Sequence, residues 1–345
     1  MSRLINKMMF STYQSVRFIL YVLLFGLTIS VYADGFTRQQ LGMAVTPSHF
    51  PNHTPEDINS AFTLSQKLSQ FSVFIYQWGQ LDVNVASLME AKTRTAGMLS
   101  IIGLSPTTLD QGRKELDIPD AVRAKANGWI SFANPVIRDA YKNSVKELAK
   151  LQPAYFCLAT EINMLGLQRM DEYLHFASLY KEAYDEVKRI SPKTRVFVSF
   201  QHEWIRILDA KDPLNIKEHS KLIDIFRPAL DIIGLTTYPS EYHNSPLEIP
   251  ADYYSWIYNH IPRSDRVLLM EVGWPTQGSG NVQEQVQYIS LLPTLLKDVD
   301  VEVLAWALLH DVDLSEFDAN LNTAGLIQSN GQFKLGLKAF DDLTK

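Results

Sequence analysis

Two rhythms of apolar and polar positions alternate along the chain. Short runs that are apolar almost throughout, Leu41 to Val45, Phe71 to Trp78 and Gly97 to Leu104, predict strands buried on both faces. Between them, Pro55 to Ser69 and Val83 to Thr95 repeat their apolar residues every three or four positions and predict amphipathic helices. Thr54 is placed to cap the first of these, with Pro55 at its first position and Asp57 in its first turn. Asn134-Pro135 opens another helix, which runs to about Leu151. The second half repeats the rhythm. Strands are predicted at Ala154 to Glu161, Arg195 to Phe200, Leu230 to Thr237, Val267 to Glu271 and Val301 to Leu309. Helices are predicted at Met170 to Ile190, Asn215 to Phe226, Asp252 to His260, Val282 to Lys297 and Leu335 to Leu343.

Strict alternation of strand and helix implies a parallel sheet, and eight units over roughly 300 residues match an α/β closed barrel, a single-domain (β/α)8 TIM barrel. A doubly wound open sheet is the alternative, and it would more often carry a glycine-rich fingerprint after the first strand; Ala44-Val45-Thr46-Pro47 has none. One connection stands out. Ser105 to Ala133 is long, with Pro106, Pro119 and Trp129, and a connection of that length is usually functional or partly helical.

The N-terminus changes the picture of where the chain works. Arg3, Lys7 and Arg17 precede or flank the twelve apolar-rich residues Phe18 to Ile29, and Val31-Tyr32-Ala33 fits a small-residue cleavage site. Residues 1–33 therefore read as a cleavable signal peptide and 34–345 as the catalytic domain, secreted or periplasmic; an uncleaved anchor is the rival reading. The apolar run is short of the roughly 20 residues a bilayer span needs, so no stable membrane insertion is expected after cleavage. Removing 1–33 takes away three basic and no acidic side chains, which moves the formal charge from −6 to −9 and disfavours nucleic acid as a partner. The sole cysteine, Cys157, lies in an apolar run and reads as a core residue, so stability must come from packing rather than disulfides.

In barrels of this kind the chemistry sits at the C-terminal strand ends. Those ends carry Tyr76-Gln77-Trp78, Thr160-Glu161-Ile162-Asn163, Gln201-His202-Glu203-Trp204, Thr237-Tyr238, Glu271-Val272-Gly273-Trp274, and Trp306 followed by His310-Asp311. Carboxylates and aromatics dominate and cations are nearly missing. That points to a neutral polyhydroxylated ligand, an oligo- or polysaccharide, rather than a phosphate. Glu161 and Glu271 face one another across the expected barrel mouth. Two carboxylates flanking one site are what glycosidic cleavage needs, one as general acid with a raised pKa and one as nucleophile. Trp78 and Trp274 are candidate stacking platforms and His202 a candidate polar contact. Glu203 reads as solvated or ion-paired. No cofactor is implied, and the scattered histidines form no metal-ligand spacing. No Gly-x-Ser-x-Gly elbow is present for serine chemistry.

At Glu161 and Glu271 the pattern resembles the clan of retaining glycoside hydrolases on (β/α)8 barrels, with an acid/base Glu at the end of the fourth strand and a nucleophile Glu at the end of the seventh. Glu271-Val272-Gly273-Trp274-Pro275-Thr276 is similar to the nucleophile motif of the β-1,3-glucanase family, and the fourth-strand region resembles the β-1,4-galactanase family. The resemblance implies Glu161 as acid/base, Glu271 as nucleophile, Tyr238 as hydrogen-bond donor to the nucleophile and Trp306 as floor of the cleavage subsite. It also implies an Asn before the acid/base, to contact the sugar's 2-hydroxyl. This chain has Thr160 there, which shortens the reach, and Asn163 is the candidate to take over part of that role. The expected activity is endo-hydrolysis of a β-linked glycan through a covalent intermediate. A transglycosidase on the same residues and a non-catalytic carbohydrate-binding barrel are the alternatives. Oligomeric state is not legible.

Overall fold

The computed structural model describes residues 35–345 apart from Asp110, Gln111 and Glu316. The expected signal peptide lies outside these residues. Nine strands form one sheet: β1 Leu41–Ala44, β2 Phe71–Gln77, β3 Leu99–Ser105, β4 Tyr155–Cys157, β5 Arg195–Phe197, β6 Ser199–Gln201, β7 Ile233–Thr237, β8 Val267–Val272 and β9 Val301–Trp306. Every neighbouring pair is parallel, in the order β5-β4-β3-β2-β1-β9-β8-β7-β6. The two strands at the ends of that order, β5 and β6, are one crossing interrupted only by Val198. The wall therefore closes on itself as an eight-stranded barrel, the single-domain α/β architecture expected from the alternation.

The helices follow from local signals. Helix α1, Pro55–Leu68, starts with a reciprocal cap: Thr54 Oγ1 accepts from the Asp57 backbone N–H, and Asp57 Oδ2 accepts from that of Thr54 at 2.8 Å. Helices α2 (Val83–Thr95), α3 (Asp120–Lys125) and α4 (Pro135–Ala149) follow, then α5 (Ile162–Gln168), α6 (Met170–Ile190), α7 (His202–Lys211) and α8 (Ile216–Asp224). The chain closes with α9 (Val282–Leu295), α10 (Ala319–Asn322) and α11 (Leu335–Asp342). No helix among the described residues is long and apolar enough to cross a membrane.

Several elements differ from the sequence reading: the strand expected from Leu230 begins at Ile233, the strand expected to reach Leu309 ends at Trp306, and an unexpected helix covers His202–Lys211. The third strand begins at Leu99 rather than Gly97, because Gly97, at φ +68°, closes the end of α2 by donating to Arg94 O. The segment Asp252 to His260, between Pro250 and Pro262, forms only a short 3-10 helix, Ser255–Asn259. The fourth strand keeps its ladder only over Tyr155–Cys157, and Glu161 is already in a left-handed conformation at φ +50°. The long connection 105–133 is not formless: Thr107 bridges Leu116 in antiparallel fashion and α3 lies within it.

The barrel interior is packed to its axis. A Cβ on Gly103 would lie 2.8 Å from Met270 Cε, so any larger residue there would have to push the methionine end aside. The N-terminal end is closed by polar contacts. Glu302 of β9 accepts from the Tyr155 hydroxyl and from Arg195, and pairs with Arg266 at 2.8 Å. Charge there serves closure, and the other end is left for chemistry.

Candidate active site

Glu161 reaches the C-terminal rim because β4 stops early and the chain turns sharply into α5. Its backbone N–H donates to Ser199 Oγ at 3.0 Å across the gap that Val198 opens between β5 and β6. Both carboxylate oxygens are engaged. Thr236 Oγ1 donates to Oε1 at 2.7 Å, and the Arg113 Nε–H donates to Oε2 at 2.6 Å in an ion pair. Glu271 stands on β8, where the ladder is irregular between Leu269 and Val272, and accepts from the Tyr238 hydroxyl at 2.8 Å. Gly273 makes that contact fit: a Cβ there would fall 2.7 Å from Tyr238 Cε1. The glycine of the Glu-Val-Gly-Trp-Pro stretch thus leaves room for the ring that holds Glu271.

The two glutamates share one electrostatic environment. Burial, and then the charge of Glu161, push the Glu271 carboxyl up to about 7; the Tyr238 hydrogen bond and the Arg113 charge pull it down. Tyr238 itself is pushed well above the usual phenol range, by burial first and then by both carboxylates. The sequence reading placed the raised carboxyl on the acid. Here Glu271, the expected nucleophile, is the carboxyl that stands raised, by burial first and then by the charge of Glu161.

Of the residues expected at this site, Glu161, Glu271 and Tyr238 come together. The tryptophans do not present stacking faces. Trp78 is fully buried, donates from Nε1 to Ser144 Oγ and packs edge-on against Tyr141. Trp274 is fully buried against Tyr288, and Trp306 is fully buried between Tyr288 and Phe340 with its Nε1 donating to Ala324 O. These rings turn into the packing between wall and helices. That is the commonest fate of a large aromatic at a strand end, and it removes the subsite-floor and platform roles expected for them.

Thr160 is fully buried with Oγ1 unpartnered, so it reaches no ligand. Asn163 is buried and spent on structure, accepting from Gln201 N at 2.9 Å and donating to Gln201 O at 3.1 Å. His202 is buried against Tyr253 and Tyr254, contacts Tyr253 O through Nε2 at 2.9 Å, and burial lowers its pKa to about 3, which leaves it neutral. Glu203 is neither solvated nor ion-paired. It is buried and accepts from Gln201 Nε2, Thr237 Oγ1 and Tyr253 OH, and burial raises its pKa.

The site also contains groups the sequence did not announce. Arg113 comes from the long connection, 48 residues before its partner; the length of that connection was the only signal. Thr236 and Ser199 hold Glu161 from neighbouring strands. Beyond the site, Tyr242, four residues past Tyr238 in the loop leaving β7, is 44% exposed.

No family model matches the chain, and no curated protein matches it in sequence. Solved structures do match in shape. GH5_18 from Streptomyces cattleya in complex with GlcNAc superposes with a TM-score of 0.69 at 13% identity, over 90% of this chain and 80% of that one. An exo-β-1,4-mannosidase from Opitutaceae bacterium strain TAV5 gives 0.65 at 14% identity, over 91% and 61%. The GH53 catalytic domain of Ignisphaera aggregans gives 0.61 at 14% identity, over 92% and 98%. At such identities the likeness is one of fold, and it is the barrel described above.

Proposed function

We propose that the chain is a retaining glycoside hydrolase that cleaves a neutral β-linked glycan. One observation carries this reading: Glu161 and Glu271, from separate strand ends, stand within electrostatic reach of one another, and Tyr238 donates a hydrogen bond to Glu271. Support comes from the barrel neighbours, whose descriptions name glycoside hydrolases and a mannosidase.

In the proposed reaction a Glu271 oxygen attacks the anomeric carbon as the bond to the leaving oxygen breaks, and Glu161 delivers its proton to that oxygen. Water then attacks the glycosyl ester, giving its proton to Glu161 and releasing Glu271. The elevated Glu271 carboxyl favours a second reading in which the roles are exchanged, Glu271 donating the proton and Glu161 attacking. Trapping with activated 2-deoxy-2-fluoro β-glycosides separates them. A covalent adduct on Glu271 supports the first and an adduct on Glu161 the second, while hydrolysis with inverted anomeric configuration refutes retention. Glycan binding without turnover moves the chain to the binding-barrel alternative, and transfer to added sugar acceptors marks a transglycosidase.

Endo action was expected from mouth aromatics, and Trp78, Trp274 and Trp306 are buried. The size distribution of early products from a polysaccharide decides it. We also propose export, from the basic start and apolar run before Ala33. N-terminal sequencing of the mature protein from the native host should begin at Asp34.

A further inference from the structure

Arg113 is a cation set among acids, with Glu161 in contact and Glu271 near enough to be felt. It is held from two sides: Nε donates to Glu161 Oε2 at 2.6 Å and Nη1 to Ser105 Oγ at 3.3 Å. Its backbone is fixed as well. The bridge Thr107–Leu116, the Thr108 N–H on Glu115 O at 3.0 Å and the Asp117 N–H on Pro106 O at 2.9 Å close the loop around it, and Arg113 itself sits at φ +44°, a left-handed conformation that costs a branched-free but bulky residue energy. The residue is only 9% exposed, yet Nη2 donates to no described residue. Nη2 is not among the sealed side-chain atoms, so an acceptor from solvent or a ligand can reach it. Bracing Glu161 needs one donor, and an arginine fork offers five in a fixed plane.

The charges around it indicate what that acceptor is. Glu161 neutralises Arg113 in direct contact, and the charge of Glu271 adds to its stabilisation as a cation. Glu241, on the loop after Tyr238, also lies within the field of Glu161. No net positive charge is left over to attract an anionic sugar, whereas a hydroxyl oxygen accepts a hydrogen bond at no such cost. Thr160, the other residue placed to read the sugar beside the cleavage point, is sealed in the wall.

We propose that Arg113 is the specificity-determining residue of the cleavage subsite: Glu161 and Ser105 hold its guanidinium so that the remaining donors bind one ring hydroxyl of the neutral sugar lying between Glu161 and Glu271. This rests on the glycosidase reading of the site, and it gives Arg113, hydrogen-bonded to Glu161 and Ser105, a role beyond holding Glu161.

The test compares the wild type, Arg113→Gln and Arg113→Lys on 4-nitrophenyl β-glucoside, mannoside, galactoside and xyloside. The glycoside cleaved fastest is then compared with its monodeoxy analogues. Loss of a charge-assisted hydrogen bond predicts that Arg113→Gln lowers kcat/KM on the parent by about 10- to 100-fold. On the one analogue that lacks the contacted hydroxyl, the same substitution should cost less than about 3-fold. Arg113→Lys should fall between the two, and its result decides if Arg113→Gln does not fold. Equal rates for all three proteins overturn the proposal. So does the same loss on every analogue, which would make Arg113 a brace for Glu161 only. If the wild type cleaves none of the glycosides, the glycosidase reading has failed separately, and calorimetry with cello-, manno- and galacto-oligosaccharides takes over: weaker binding by Arg113→Gln supports the role, and equal binding, or binding by neither protein, overturns it.

Discussion

Glu271→Gln should make the folded protein more stable in mild alkali and leave it unchanged in acid. The Glu271 carboxyl is raised from 4.5 to about 7 in the fold, chiefly by burial and then by the charge of Glu161. A raised carboxyl binds its proton more tightly folded than unfolded, so stability falls as pH climbs from about 4.5 to about 7 and the whole penalty is present above 7. At about 1.4 kcal/mol per unit, the penalty at pH 8 is about 3 kcal/mol. Glutamine carries no charge and escapes it, and the Tyr238 hydroxyl can turn to accept from the amide. With an unfolding entropy of about 2.1 cal/mol/K per residue over roughly 310 residues, this corresponds to a Tm gain of about 5 °C. Calorimetric scans of both proteins at pH 4.5 and pH 8 measure it. The gain should be present at pH 8 and vanish at pH 4.5. A pH-independent difference, or a variant less stable than the wild type at pH 8, would refute the raised Glu271 carboxyl.

Three further outcomes follow from the same contacts. Glu161→Gln should lower kcat by on the order of 10²- to 10⁴-fold on phenyl β-glycosides, and far less in glycosylation by 2,4-dinitrophenyl glycosides, whose leaving group needs no proton; equal loss on both would remove Glu161 as the acid. Gly273→Ala forces the Tyr238 ring away from Glu271, so the acid limb of kcat/KM should move to higher pH, the hydrogen bond that lowers the Glu271 carboxyl being lost; an unmoved limb counts against the Tyr238 contact. Asp209 accepts from His219, Trp256 and His260 away from the site, and Asp209→Ala strands all three donors. It should cost roughly 3–5 kcal/mol in urea unfolding at pH 7, and a loss under about 1 kcal/mol would show that the cluster is dispensable.

Much of the architecture was legible because its signals are local. Helices Val83–Thr95 and Met170–Ile190 fall where their apolar spacing and flanking residues predict, and the strand-helix alternation alone indicates the closed parallel barrel. Glu161, Glu271 and Tyr238 were legible for a related reason, since polar residues that end apolar runs have few places to go. The tryptophans were not, because period-two alternation fixes which face a residue takes only while the ladder is regular. It is irregular between Leu269 and Val272, and the chain beyond Gln77 turns at once into a 3-10 helix that carries Trp78 inward. Arg113 was invisible for the opposite reason: its role depends on a contact across 48 residues that no periodicity encodes.

The interrupted fifth strand has a consequence for how the molecule fails. The pairings β4–β5 and β6–β7 span three residues each, against seven for β2–β3, and beyond Ala159 the wall is stitched by the Ser199 hydroxyl and the Asn163 amide. Amide protons along this seam should exchange with solvent soonest, by partial openings well below the free energy of global unfolding. Glu161 hangs on the seam, while Glu271 stands on β8, which pairs over five residues with β7 and four with β9. On warming, the pair should come apart while the barrel is still intact, so catalysis should fade at a lower temperature than the fold.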